Sequence, residues 1–374
     1  MSRAANIYRL GIKELWSLAR DPIMLVLIAF TFTVMIYVAA TAMPEQLHHA
    51  PIGIVDEDKS QLSSRIISAF HPPRFIPTTD LDIAQMDTEL DAGRQTFVIN
   101  IPPHFQRDML AGRAPSIQLN VDATRMSQAF TGSGYIQQII QAEVMEFMQR
   151  HRVVQTAPVT LALRNRFNPN LTPSWFGALN ELINLITMLS IILTGAALIR
   201  EREHGTVEHL LVMPVTPGEI MFAKIWSMVL VVVCASFISL KFVIQGTLEV
   251  PVQGSNALFF VGVVLHLFAT ASMGIYMATV ARSMPRFGLL MIMTLIPLEM
   301  LSGGITPSES MPEIVQHLMQ AAPTTHFVSL SKAILFRGAG IEVVWQSLMA
   351  LLLIGIVLYI LALGRFRKTI NTME

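Results

Sequence analysis

Long apolar runs divide this chain, and one polar stretch interrupts them. A helix of about 20 mainly apolar residues crosses roughly 30 Å of hydrocarbon. Ile23 to Ala42 supplies the first such run without a charge, and five more follow at about 174–199, 219–244, 257–281, 286–306 and 345–364. The first run could also be read as a secretory signal peptide, with Ala40-Thr41-Ala42 as a small-residue cleavage site. Its apolar part exceeds the roughly 7–15 residues of a signal peptide, so the reading here is an uncleaved anchor.

Residues 43–172 break the pattern and carry 13 acidic and 11 basic side chains. Short apolar runs alternate there with amphipathic stretches. Strands are predicted at Ile52–Val55, Phe75-Ile76, Thr96–Ile99 and Ser116–Val121, with helices over 60–70, 80–91, from Pro102 to Leu110, and from Ser127 to Arg150. Strands alternating with helices indicate a small α/β or α+β domain. It contains no paired His/Cys ligands, no nucleophile elbow and no His-Glu-x-x-His. The acidic cluster Asp56, Glu57 and Asp58 reads as a solvated turn or a divalent-metal site, and His48 and His49 as a wet linker. The segment is taken as a docking or gating module.

Composition agrees with a membrane protein. Only 14% of the 374 residues are charged and 52% are hydrophobic, against about 25% charged in an average soluble domain; mean hydropathy is +0.53. Basic and acidic residues balance at 26 each, so no basic footprint points to nucleic acid. The single cysteine, Cys234, lies in an apolar run and reads as a small buried hydrophobe.

Orientation follows from Lys and Arg in the short flanks. Arg3, Arg9, Lys13 and Arg20 precede the first run. Arg200, Arg202 and Lys224 flank the turn between the second and third, Arg282 and Arg286 the turn between the fourth and fifth, and Arg365, Arg367 and Lys368 the tail. The loop 245–256 has no Lys or Arg. Both termini are therefore expected inside, Lys241 near the outer end of span three can snorkel to the interface, and residues 43–172 are expected outside the cytoplasm. In the leader, Tyr8, Ile12, Leu15 and Ala19 form an apolar stripe beside Arg9, Lys13 and Arg20, the pattern of an interfacial helix over 1–22.

The turn after the second span reads Arg200-Glu201-Arg202-Glu203-His204-Gly205-Thr206-Val207-Glu208-His209-Leu210-Leu211-Val212-Met213-Pro214. Thr206 can cap a short helix with Glu208 in its first turn and Val207, Leu210 and Leu211 on one face. Thr216 and Glu219 then have capping-box spacing, with Pro217 at the first helical position. Such a face suits the groove of a partner; the plainer reading is a charged loop. Farther on, Ser310 and Glu313 are spaced as a second capping box, followed by short amphipathic pieces at Ile314–Met319 and Phe327–Leu335.

These features together resemble the permeases of type-2 ATP-binding-cassette (ABC) transporters, in the long-outer-loop branch of bacterial exporters. The residues that carry the resemblance are the Arg200–Pro214 run, Thr216 to Lys224, and Leu301 to Pro323, which reads Leu-Ser-Gly-Gly-Ile-Thr-Pro-Ser-Glu-Ser-Met-Pro at its start. His204 stands where family members more often have Lys or Arg. The resemblance implies a coupling helix at about 200–213 that docks on a cytoplasmic ABC ATPase subunit, with Glu203, Gly205, Glu208 and Leu211 as its contacts. The chain has no Gly-x-x-x-x-Gly-Lys-[Ser/Thr] loop, so ATP and Mg are expected on the partner and no cofactor on this chain. The resemblance also implies a re-entrant segment at 303–340, a leader helix beside the ATPase, and a second permease copy or paralogue.

Polar residues interrupt two spans. Gly177, Asn180, Asn184, Thr187 and Thr194 share a broad face of the second, with Glu181 beside it, and the fifth carries Glu299 before Ser302, Gly303 and Gly304. Polar groups in a span face the bundle, a dimer seam or a wet path. Asn184 and Glu299 are named as substrate-pathway residues; helix–helix hydrogen bonding is the other reading.

The expectation is thus an α-helical integral membrane protein with six transmembrane helices, plus an α/β (or α+β) extracytoplasmic domain inserted between the first and second spans. Its domains would be 1–22, 23–42, 43–172 and 173–374, with the coupling turn at 200–218, in the bacterial inner membrane. The function expected is a permease subunit of an ATP-driven exporter, not an enzyme, working with an ATPase subunit, a second permease, the lipid bilayer and a periplasmic adaptor (membrane fusion) protein. Two rivals are a mechanical transducer that passes no cargo and a receptor with an outer sensing domain. A secondary transporter fits less well, because the halves show no internal repeat.

Overall fold

The computed structural model describes residues 3–42, 49–122, 126–151, 172–203, 215–304, 306 and 308–371. It divides into two compact units, Pro44–Arg164 on one side and Met1–Met43 with Asn165–Glu374 on the other.

The smaller unit holds a four-stranded sheet of order β2-β1-β3-β4. β1 (Ile52–Asp56) and β3 (Phe97–Ile101) run parallel at its centre, β2 (Thr79–Asp80) is parallel to β1, and β4 (Gln118–Val121) is antiparallel to β3. The central strands are near-continuous apolar runs because both their faces are covered. One face packs Ile52, Ile54, Phe97 and Ile99 against Leu62 and Ile66 of α4 (Gln61–Ser68) and against Phe147 of α7 (Met126–His151). The other packs Val55 and Val98 on Leu81, with Met86 and Leu90 of α5 (Met86–Asp91) beside them. α6 (Phe105–Leu110) buries Phe105 in the first of these cores. A Cβ at Gly132 of α7 would overlap the Phe97 ring, so the close approach of helix to strand requires glycine there.

Two local expectations are corrected. Phe75-Ile76 is not a strand: Phe75 makes a single bridge to Ala50 and buries its ring in the core, and the strand lies at Thr79–Asp80. Residues 80–91 are not one helix but a 3-10 turn, Ile83–Gln85, capped by Asp82, followed by α5.

The larger unit is helical. A leader helix α1 (Arg3–Ala19) precedes α2 (Pro22–Phe30), which runs through a π-helical turn (Thr31–Met35) into α3 (Ile36–Ala42). Then come α8 (Pro173–Glu203), α9 (Pro217–Ile238) with a π-helical end at Ser239–Thr247, α10 (Asn256–Ala281), α11 (Met284–Met300), α12 (Glu313–Gln320), α13 (Pro323–Leu335) and α14 (Ile341–Asn371). Five helices among the described residues are long and apolar enough to cross a membrane: Pro22–Thr41, Ser174–Glu203, Pro217–Thr247, Asn256–Ala281 and Ile341–Thr369.

The fifth expected run is shorter than its composition implies. α11 has 17 residues and ends at Met300, not 306. At 1.5 Å per residue it is about 25 Å long, below the roughly 30 Å of a bilayer core. Pro297 lies within its last turn, Leu301 closes it by donating to the Pro297 carbonyl, and Gly303 turns away with φ +86°. The capping box expected at Ser310 and Glu313 is also absent: Ser310 ends a 3-10 turn, and α12 starts after Pro312 with no side-chain cap.

α8 and α10 form the centre. Leu182, Ile186, Leu189 and Leu193 of α8 join Phe259, Val263 and Leu267 of α10 and Phe327 of α13 in one buried cluster. Between these apolar layers runs a polar seam. Thr187 Oγ1 lies 3.1 Å from the Ile183 carbonyl and shares a 2.8 Å hydrogen bond with His266 Nε2. Ser190 and Thr270 share the next hydrogen bond, and Thr194 donates to the Ser190 carbonyl at 2.7 Å. The His266 ring lies flat on Phe327, with centroids 4.0 Å apart. By contrast α2, α3 and α14 present large apolar side chains outward, among them Ile23, Val26, Phe30, Val343, Leu353 and Ile360.

Candidate functional site

The 200–218 turn is held by a frame on both sides. Residues 204–214, which include Gly205, Glu208 and Leu211, lie outside the described residues. Glu203 is the last residue of α8, and its Oε1 accepts from the Met284 backbone N–H at 3.2 Å, so the end of α8 is fastened to the start of α11. The far side begins at Thr216. The expected capping box forms there: Thr216 accepts from the Glu219 N–H, and the Glu219 carboxylate accepts from the Thr216 N–H at 2.6 Å. Pro217 occupies the first turn, where its missing N–H leaves no donor to satisfy.

Below this frame lies a buried group of charges. Lys224, two turns into α9, is 2% exposed in its side chain. Its Nζ is 2.9 Å from Glu14 of the leader and 2.7 Å from Glu201 of α8. Lys13 reaches the other Glu201 oxygen at 3.1 Å. Immediately before Glu201, Arg200 holds Asp21 at 2.6 Å, and Asp21 caps α2 by accepting from the Met24 N–H at 3.1 Å. A small cavity of about 250 Å³ opens beside the group, walled by Lys13, Ser17, Arg200, Leu193 and Met228 among others.

The electrostatics follow from burial. Loss of water lifts the Glu14 carboxyl above the usual carboxylate range; Lys224 opposes the lift and Glu201 adds to it. Asp21 moves the other way, held below its usual range by the Met24 N–H and then by Arg200.

This group gives the leader a second face, apart from its apolar stripe. The face of α1 turned to the protein is Gly11, Glu14 and Leu18, whereas Tyr8 and Ala19 of the expected stripe are exposed. The reason is the neighbour. A Cβ at Gly11 would overlap the Trp226 indole, whose Nε1 donates to the Ile7 carbonyl at 3.3 Å, and Lys224 draws Glu14 inward. Tyr8 stacks on the same Trp226.

The two residues named for a pathway sit elsewhere. Asn184 and Glu299 are both half-buried. Nineteen residues separate Asn184 from Glu203 on α8, about 28 Å along the axis, so the two sets are distinct sites. Glu181 of α8 is the charged neighbour of Glu299. One residue earlier, Asn180 buries its Oδ1 without a hydrogen-bond partner among the described residues. Gly304 lies so near that a Cβ on it would come 2.9 Å from that oxygen. Lys332 of α13 donates to the Gly303 carbonyl at 2.6 Å and lies 5.0 Å from the centre of the Phe176 ring.

Other chemistry is not assembled. Among the described residues no three His, Cys, Asp or Glu side chains gather as a metal site. The acidic cluster after β1 is taken up by its own chain: Asp56 accepts from the Asp58 and Lys59 N–H groups and from Ser63, and Asp58 accepts from the Gln106 N–H. Cys234 is exposed, not buried as its apolar context suggests.

Sequence reasoning did not single out Glu14 or His266. His266 was visible as a polar residue inside an apolar run and Glu14 as an acid among the basic residues of the leader, but periodicity gives no partner for either.

Comparison with known proteins places the sequence. Residues 22–363 match the model of the ABC-2 family transporter proteins. Over 373 residues, all of both chains, the sequence is 60% identical to the inner membrane transport permease YhhJ of Escherichia coli K12. It is 27% identical to the probable multidrug ABC transporter permease YbhR of the same organism, over 96% of this chain and 97% of that one. It is 24% identical to the probable multidrug ABC transporter permease YbhS, over 89% of each. A match that spans the bundle and the polar unit together shows that the chain belongs to the ABC-2 transporter family, as a membrane permease.

Proposed function

We propose that this chain is half of an ATP-driven exporter of the inner membrane, with six spans, both termini cytoplasmic and the 44–164 unit in the periplasm. The family implies an ATPase partner and a second permease. The ATPase docks on the 200–213 turn through Glu203, Gly205, Glu208 and Leu211, and its nucleotide cycle moves that turn. Cargo leaves along the polar side of α8, past Asn184 and Glu299. The 44–164 unit shapes the exit or hands cargo to a periplasmic adaptor. Two relatives carry the word multidrug in their names, which supports apolar small molecules as cargo.

The observation that carries this reading is the double fastening of the turn. Glu203 is tied to α11 and Thr216 is capped to α9, so a push on residues 204–214 is delivered to three helices and not absorbed in loose ends. The short α11 supports a place for the fifth span at a seam with a second copy, where protein as well as lipid can cover it.

The test pairs capture with flux. Wild type in detergent should bring down an ATPase, and Glu208→Arg with Leu211→Asp should not. In inside-out vesicles, ATP should drive uptake of an apolar fluorescent dye with wild type alone. ATPase capture without any flux would favour a transducer that moves the periplasmic unit; no capture with either protein would end the coupling assignment.

A further inference from the structure

Lys224 does more than neutralise one acid. It sits between two carboxylates that belong to different helices, at 2.9 Å from Glu14 on α1 and 2.7 Å from Glu201 on α8, while itself lying on α9. Side-chain exposures of 2%, 9% and 13% put all three groups out of bulk water. A cation there is costly unless nearby carboxylates surround it, and an apolar side chain would fill the same space at less cost. Glu201 lies two residues before the end of α8, and Lys224 lies eight residues after Thr216, so the cation bridges both roots of the 204–214 turn. Glu14 adds a third element, which the chain's periodicity alone would place on the membrane surface. Trp226, two residues after Lys224 on α9, locks the same leader helix through Gly11 and the Ile7 carbonyl.

We infer that Lys224 is a positioning residue that links the leader helix to the two roots of the 200–218 turn, so that displacement of the turn by nucleotide is carried into α1 and, through the Arg200–Asp21 pair, to the start of α2. This rests on the turn being the coupling site, and it assigns the leader a moving role within it. The geometry favours movement as one body: two short ionic contacts converge on a single nitrogen, and the indole contact prevents α1 from sliding on α9. A leader that served only as a membrane-surface anchor would need neither a buried carboxylate nor a glycine under an indole.

The experiment uses the full chain co-purified with its ATPase subunit, in lipid nanodiscs. An environment-sensitive fluorophore is placed at the exposed Ala4 by Ala4→Cys in a Cys234→Ala background. Wild type should change its fluorescence when ATP and vanadate trap the nucleotide state. The neutral triple variant Glu14→Gln, Lys224→Met and Glu201→Gln removes the three buried charges together and leaves Lys13, the exposed partner of Glu201, to the solvent. It should hydrolyse ATP and melt as wild type does, yet the leader response should fall by about tenfold, within the usual range of coupling between sites. Glu14→Gln alone, which keeps the Lys224–Glu201 contact, should lose the leader response as well, and it carries the test if the triple variant folds poorly. An equal response in these variants, or none in wild type, overturns the inference. A wild-type leader that responds while vesicles show no flux would instead remove the export reading and leave the linkage standing.

Discussion

Two regions of this molecule solve one problem with the same parts and different surroundings. Lys224 in the helical unit and Arg65 in the α/β unit each hold two carboxylates and tie helices together. Lys224 meets Glu14 and Glu201 at 2.9 and 2.7 Å; Arg65 on α4 meets Glu143 and Glu146 of α7 at 2.9 and 3.1 Å. The distances hardly differ. What differs is water: Lys224 is 2% exposed, whereas Arg65 is 23% exposed and Glu146 is 50% exposed. Contact geometry is therefore a poor guide to what a charged group contributes. In the buried group, every charge depends on its partners because no solvent replaces them; in the exposed group, water and salt stand ready to do so.

The comparison is broken most directly at Lys224. Lys224→Met leaves the buried Glu14 without a cation and Glu201 with only the exposed Lys13, and removing one partner of a buried ionic group costs about 3–5 kcal/mol. The expected result is a large drop in the thermal midpoint of the detergent-solubilised protein, and loss of most monodisperse material. The neutral triple variant should melt close to wild type because no buried charge is left stranded. If the single and triple variants melted alike, solvent would have to reach the group, and the contrast with Arg65 would collapse.

These two charged groups also show what a sequence can and cannot tell. The apolar runs place the helices of the larger unit to within a few residues, because a bilayer leaves few alternatives to a helix. The run Ile52–Val55 and the capping residues Thr216 and Glu219 are legible for the same reason: they are local. Glu14 was not legible. Its face of α1 is chosen by Trp226 and Lys224, more than 200 residues away in sequence, and the apolar stripe of the leader points to a different face. The short α11 was hidden too, since hydropathy counts residues and does not register where Pro297 and Gly303 end a helix. Of the site, Glu203 and the cap at Thr216 were visible as flanks of an unusual turn. The binding of those flanks to α1 and α11 was not, because periodicity reports a face and never its occupant.

Asp21 sharpens the comparison from an intermediate position. It is partly exposed and pairs with Arg200, but it also caps α2 through the Met24 N–H. Asp21→Ala should cost about 0.5–2 kcal/mol, the usual value of an N-cap, and Asp21→Asn, which keeps an acceptor for Met24, should cost less. The pH dependence has a definite sign. Its carboxyl is held below the usual range in the folded protein, so the stabilisation is complete above the unfolded value and is lost as pH falls through the folded one. That window lies below roughly pH 4. Wild type should lose stability over that window by more than Asp21→Asn does, as read from melting midpoints across an acid series.

Arg65 gives the smallest expected effect and the cleanest control. Arg65→Met removes the cation from Glu143 and Glu146 but leaves both carboxylates in contact with water. The core beneath does not depend on it: Leu62 and Ile66 on the same helix are fully buried against Phe97 and Ile99. The Ser60 capping box and the Ser63–Asp56 hydrogen bond at 2.8 Å hold the start of α4 independently. The melting midpoint of the variant should therefore lie close to wild type, and the small difference should vanish as salt rises, since exposed pairs are screened. Lys224→Met should show no such salt rescue. A salt-independent loss at Arg65 matching that at Lys224 would mean that exposure does not rank these groups, and the explanation would have to move to the helices they join.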